Sequence, residues 1–103
     1  MKLIRKSEQE IRKCIKAQEK RISDLKAPHF APRSGICYCC GRNIYQNYGW
    51  RRNEYLGRAI AVVRSKAVVD DGAEVDFVTG HNIERAKNEL ITGCPHCNWS
   101  FCE

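Results

Sequence analysis

Four of the seven cysteines in this 103-residue chain form two C-x-x-C pairs. The first pair is Cys37 and Cys40, followed by glycine, and the second is Cys94 and Cys97, followed by asparagine. Two intervening residues let both sulfurs of a pair reach one ion, and glycine or asparagine tolerates the left-handed backbone after such a turn. The spacing therefore predicts a tetrahedral Cys₄ site for one structural Zn²⁺ ion.

Other side chains leave the ligand set open. Cys39 could replace Cys37 or Cys40, and His96 or Cys102 could enter the site. Disulfides are the alternative for all these cysteines, but their odd number and a reducing compartment favour metal binding. A closed Cys₄ site leaves no position for water or substrate, so the ion would serve folding rather than catalysis.

Composition indicates the compartment. A domain of this length buries little apolar surface and needs an additional source of stability, which the metal would supply. The N-terminus is charged from Lys2 onward, and the longest apolar run, 59–63, is far shorter than a membrane span of about 20 residues. We therefore expect a cytoplasmic protein without a signal peptide or membrane association.

The elements that must position the cysteines follow from the pattern around them. Isoleucine and leucine recur at helical spacing from Lys2 to Lys26, which predicts one basic amphipathic helix over 1–26. The narrow apolar stripe needs a partner surface in this chain or another, and a homodimer through the helix is one prediction. Prolines and a glycine in 27–35 predict a linker, and 36–103 is the expected zinc domain. The predicted members of the apolar stripe are Ile4, Ile11, Ile15, Ile22 and Leu25.

Two further elements are predicted inside the zinc domain. Strands over 66–69 and 73–78, joined at Asp70-Asp71-Gly72, read as a β-hairpin. Asn82 is expected to cap a short helix from Ile83 to about Leu90. The predicted fold is α+β, with a long N-terminal amphipathic helix and a small Cys₄ zinc domain of treble-clef or zinc-ribbon type.

The stretch from Val75 to Asn98, taken with the first C-x-x-C pair, resembles the HNH endonuclease family with its treble-clef zinc fold. In the resemblance, Asp76 matches the family's aspartate, Asn88 its middle asparagine and Asn98 its final histidine or asparagine. Phe77 stands where the general base should be, and a phenyl ring cannot take a proton from water. His81 could be a displaced base. The resemblance implies a zinc scaffold whose nuclease site is absent or lost.

Charge is distributed unevenly along the chain, whose net charge is +6. Residues 1–33 carry ten lysines or arginines against four acids, whereas 67–103 carry two against seven. Basic side chains neutralise phosphates and aromatic rings stack on unpaired bases. The alternative is that the aromatic rings pack the core and the cations are only solvated. The candidate nucleic-acid or partner-binding residues are Lys13, Lys16, Lys20, Arg42, Tyr48, Trp50, Arg51, Arg52 and Arg58.

Three functions are consistent with these patterns. The first is a non-catalytic, zinc-stabilised protein that binds RNA or DNA or acts on a nucleic-acid-handling complex. The second is a phage or mobile-element inhibitor of the anti-CRISPR kind, which binds a host effector protein, since an acidic C-terminal third suits a basic protein groove. The third is a weakly active HNH-type nuclease.

Overall fold

The computed structural model describes residues 1–51 and 67–101. Within these ranges the elements follow in the order α1 (Glu8–Leu25), β1 (Tyr48–Trp50), β2 (Phe77–Thr79) and α2 (Ile83–Asn88). The predicted α+β class is confirmed, with a long helix, a two-stranded antiparallel sheet and a short helix. Neither of the described helices is long and apolar enough to cross a membrane.

Helix α1 begins later than its apolar periodicity predicts. Ser7 is the N-cap: its hydroxyl accepts the backbone N–H of Glu10 at 3.3 Å, and the Glu10 carboxylate accepts the backbone N–H of Ser7 at 3.5 Å. This capping box satisfies N–H groups that would otherwise lack partners, so it fixes the start of the helix there. The helix ends at Lys26, which adopts a left-handed conformation with φ 53°. The predicted start at Lys2 is therefore wrong.

The residues before the capping box form an extended segment that joins the body of the protein. The backbone N–H of Leu3 donates to the carbonyl of Ala73 at 2.8 Å, and the N–H of Gly72 donates to the carbonyl of Leu3 at 2.7 Å. The Leu3 side chain is fully buried, whereas Ile4 points to solvent. Ile4 belongs to an alternating extended pattern instead of the helical stripe.

The sheet has different strands from the predicted hairpin. Strand β2 pairs antiparallel with β1, so that Trp50 lies opposite Phe77. The predicted hairpin paired Val68 with the strand that contains Phe77. Val68 instead exchanges two backbone hydrogen bonds with Gly49, at 2.8 and 3.0 Å. The turn after Asp70 does form. The segment around Val68 thus lies against β1, and the predicted hairpin pairing is wrong.

The buried face of α1 packs on α2. Cys14, Gln18 and Ile22 are buried along this face, and Ala86 of α2 is buried opposite. Asn82 caps α2 as predicted, with its side-chain oxygen accepting the backbone N–H of Arg85 at 2.8 Å. The partner surface that the amphipathic stripe required is therefore provided, at least for these residues, by the same chain.

The apolar core continues from the α1–α2 contact to the cysteines. One cluster of buried residues includes Cys14, Ile44, Tyr45, Ile91 and Cys94. The two C-x-x-C segments are thus part of the core and are not carried on a separate loop.

Candidate metal centre

The first C-x-x-C pair lies in a short turn, the first knuckle (residues 36–43). Ile36 and Asn43 form an antiparallel bridge that closes the turn. The backbone N–H of Gly41 donates to the carbonyl of Cys37 at 3.0 Å, and the N–H of Cys39 donates to the Cys37 sulfur at 3.4 Å. Gly41 has φ 72°, the left-handed conformation expected of a residue after the second ligand.

The second knuckle (residues 93–100) repeats this arrangement. Gly93 and Ser100 form the closing bridge, and the N–H of Asn98 donates to the carbonyl of Cys94 at 3.0 Å. The N–H of His96 donates to the Cys94 sulfur at 3.4 Å, and Asn98 has φ 63°. Each knuckle thus directs a backbone N–H to the first sulfur of its pair, where it would stabilise a thiolate.

The four sulfurs come together across the two knuckles. The Sγ atoms of Cys37 and Cys97 are 3.7 Å apart, those of Cys40 and Cys94 are 3.8 Å apart, and all four lie within 4.8 Å of one another. Metal–sulfur bonds of about 2.3 Å in a tetrahedron require sulfurs about 3.8 Å apart. The four cysteines are free thiols. The donor set therefore fits a metal ion that prefers four thiolates.

The ionisation of these thiols depends on a cation. Burial raises the pKa of Cys94 well above its ordinary value and raises that of Cys97 to about 11. Burial also acts to raise the pKa of Cys37, but the N–H groups of Cys40 and Cys39 outweigh it and lower that pKa. Without an ion Cys94 and Cys97 are therefore neutral thiols, and a bound metal would replace their protons.

Two of the alternative ligands lie elsewhere. Cys39 is exposed, and its sulfur is not among the four clustered ones. His96 is fully buried, but its ring faces away from the cluster. Cys102 lies outside the described residues.

His96 instead links both knuckles to the sheet. Its Nδ1 lies 2.6 Å from the hydroxyl of Thr79, which also accepts the indole N–H of Trp50 at 2.6 Å. Its Nε2 lies 2.8 Å from the carbonyl of Asn43. Because a carbonyl can only accept, Nε2 carries the proton and Nδ1 accepts from Thr79. Burial lowers the pKa of His96 to about 4, so the ring is neutral, and both of its nitrogens have hydrogen-bond partners.

His81, the candidate displaced base, is also a buried ring. Its Nε2 lies 3.0 Å from the carbonyl of Gly93, to which it donates a hydrogen bond. Burial lowers its pKa, and the positive charges of Arg85 and Lys6 act in the same direction. The residues that match the HNH motif, Asp76, Asn88 and Asn98, are all exposed.

The basic candidates on α1 lie on one exposed face. Lys13, Lys16 and Lys20 follow at spacings of three and four residues, so they project from the side of the helix roughly opposite Gln18. Within residues 1–51 and 67–101, none of the three takes part in an ion pair. Their charges are therefore available to a ligand.

The candidates near the sheet have mixed surroundings. Trp50 is 1% exposed, and the Arg42 guanidinium covers its ring at 5.3 Å from the ring centre. Tyr48 is half-buried, with its ring centre 4.6 Å from that of His96. Arg51 is exposed and donates to the carbonyl of Glu74 at 3.3 Å. Arg52 and Arg58 lie outside the described residues.

Two exposed rings were not singled out by the sequence. Tyr38, between the ligands of the first knuckle, is 76% exposed, and Trp99, directly after the turn of the second, is 50% exposed. The signal available in the sequence was their position, since a residue between or beside two metal ligands has little room to turn inward.

Comparisons with known proteins assign no family. No protein-family model, curated protein or solved structure matches this chain.

Proposed function

We propose that this chain is a non-catalytic, zinc-stabilised protein that binds nucleic acid. Zinc is the ion of choice for four thiolates in a closed tetrahedral site without open positions. The observation that carries the binding role is the exposed row of Lys13, Lys16 and Lys20 on the face of α1 that the core does not use. Such a row is suited to neutralise successive phosphates.

A degenerate HNH-type treble clef is our proposal for the origin of the scaffold. Its support is the motif match around the second knuckle together with the four clustered sulfurs. The absence of catalysis is supported by two observations. Phe77 occupies the position of the base, and the enclosed His81 ring already donates to a carbonyl of the same chain.

The experiment is a binding titration of the zinc-loaded protein with fluorescently labelled RNA and DNA, repeated between about 50 and 200 mM salt. The test variant replaces Lys13, Lys16 and Lys20 with glutamine. We expect weaker binding and a salt dependence whose log–log slope falls by about 2 to 3, because each phosphate contact contributes about 0.7 to 0.9.

A matched control loses the same three positive charges from other exposed sites, Lys2, Arg5 and Lys87. If the control weakens binding as much as the test variant, net charge acts alone and the α1 face is not the site. Absence of binding to any nucleic acid at low salt, together with capture of a protein from nuclease-treated lysate, would favour the inhibitor function instead. Metal-dependent cleavage that is abolished in His81→Ala would favour the nuclease.

A further inference from the structure

The exposed rings of Tyr38 and Trp99 are mounted on the two knuckles that hold the metal site. Tyr38 lies between Cys37 and Cys40, so its backbone is fixed on both sides by ligands. The carbonyl of Trp99 accepts the N–H of Cys94 at 2.8 Å, which fixes the backbone that carries the second ring to the other knuckle. The backbone beneath both rings is thus ordered before a ligand binds, which lowers the entropy cost of binding.

Phe101 joins the segment that carries Trp99 to the ring of Tyr38. The ring centre of Tyr38 is 6.0 Å from that of Phe101, in an edge-to-face arrangement. Phe101 follows Trp99 by two residues, and its half-buried ring also packs against the apolar core. Tyr38, Trp99 and Phe101 together form what we call the knuckle platform.

The charges next to the platform suit a polyanion. Residues 27–51 contain three arginines and no carboxylate, and residues 90–101 contain neither lysine, arginine nor carboxylate. The exposed acids of the described residues lie on α1, in the segment from Asp70 to Asp76, and on α2 and its C-cap. Phosphates that approach the platform therefore meet no carboxylate from either knuckle segment.

From the exposure of the rings, their rigid mounting and this charge distribution, we propose that the knuckle platform stacks unpaired bases of single-stranded nucleic acid through Tyr38 and Trp99. A duplex keeps its base faces stacked within the helix, so it offers no face to these rings. The proposal rests on the nucleic-acid binding proposed for α1 and adds the form of nucleic acid that the protein prefers.

The test uses an oligonucleotide and an abasic strand of the same length, which carries the same phosphates without bases. The zinc-loaded protein is expected to bind the base-bearing strand more tightly. Tyr38→Ala and Trp99→Ala are each expected to weaken that binding about 5- to 150-fold, the cost of losing one stacked base. Binding to the abasic strand is expected to stay unchanged in both variants.

Matched controls separate stacking from folding. Tyr38→Phe and Trp99→Phe retain an aromatic ring and are expected to retain most of the affinity. Ile4→Ala removes an equally exposed apolar side chain away from the knuckles, and we expect it to bind as the parent does. Metal content, measured for every variant, verifies that the knuckles are intact.

Tryptophan fluorescence gives a second readout. Of the two tryptophans, Trp50 is buried and Trp99 is exposed. Addition of the base-bearing strand is expected to quench emission in the parent and not in Trp99→Phe.

The outcomes separate the two proposals. Equal affinity for base-bearing and abasic strands, with the α1 lysine variant still defective, would overturn the platform and leave nucleic-acid binding in place. Failure to bind either strand would overturn both. If the alanine variants lose a captured protein while their affinity for the oligonucleotide is unchanged, the platform is a protein-docking surface and the proposal is wrong.

Discussion

At the first knuckle, two neighbouring cysteines have opposite surroundings. The Cys40 sulfur lies 3.8 Å from that of Cys94, whereas Cys39 is exposed to solvent. The difference arises because the turn directs its first and fourth residues inward, and its backbone N–H groups point to the first sulfur. Ligand identity is therefore decided by backbone geometry at single positions.

We expect Cys40→Ser to weaken metal affinity by at least about 100-fold, since even loss of an outer-shell contact costs 10- to 100-fold. The variant should also unfold at a lower temperature, because metal binding and folding are linked. The measurements are metal per chain after dialysis against a chelator and thermal melting by circular dichroism.

Cys39→Ser is the matched control, with the same chemical change one residue away. It should retain metal and melt as the parent does. Equal metal loss in the two variants would show that Cys39 is a ligand.

Spacing was sufficient to predict which four cysteines come together because C-x-x-C turns are local. The four clustered cysteines are those that the sequence predicted, whereas the sequence left open whether His96 is a metal ligand. Its hydrogen bonds to Thr79 and Asn43 join segments far apart in the chain, and no local pattern encodes them. Burial of Trp50 likewise depends on the pairing of β1 with β2, which the sequence did not indicate.

At the scale of elements, Gln18 joins the two helices. Its side-chain amide donates to the carbonyls of Ala86 and Glu89 at 2.7 and 2.8 Å and accepts the N–H of Ile91 at 2.8 Å. These groups lie at and just beyond the C-terminal end of α2, where carbonyls lack partners within the helix. One buried polar side chain thus takes the place of a C-terminal cap.

We expect Gln18→Leu to lower the free energy of unfolding by about 2 to 4 kcal/mol, because it leaves buried backbone groups unpaired. The measurement is urea denaturation at saturating zinc. Gln9→Leu makes the same change at an exposed position of α1 and should alter stability by less than about 0.5 kcal/mol. Similar losses in both variants would show that the Gln18 hydrogen bonds add nothing to the α1–α2 contact.

Elements were predicted best where their signals are local. The cap at Asn82 and the turn after Asp70 depend on neighbouring residues and form as predicted. Which strand pairs with Phe77–Thr79 depends on tertiary packing. The partner is Tyr48–Trp50, which lies in a stretch where apolar and polar residues do not clearly alternate. The spacing of apolar residues also predicted too early a start for α1. Over a few residues this spacing cannot distinguish an extended segment from a helix.

At the scale of the whole molecule, Gly49 and Val68 bring together distant parts of the described chain. Their paired hydrogen bonds place Arg51 and Ala67 near each other, at the ends of the two described ranges.

We expect a chain in which a short Gly/Ser loop replaces 52–66 to retain its metal, because the four clustered cysteines lie outside that segment and the loop has only a short gap to span. The same variant lacks Arg52 and Arg58, so its nucleic-acid affinity measures their predicted contribution. Loss of metal on replacement would show that the segment is required for the fold.

The pairing of the two knuckles also has a consequence for the order of events during synthesis. Cys40 and Cys94 are 54 residues apart, and Leu3 is bonded to Ala73, so both contacts require distant parts of the chain. A ribosome releases the first knuckle long before the second, and until then Cys37 and Cys40 offer an incoming ion half a coordination sphere. The four-sulfur site can therefore be completed only once Cys97 has emerged, however early the first knuckle forms.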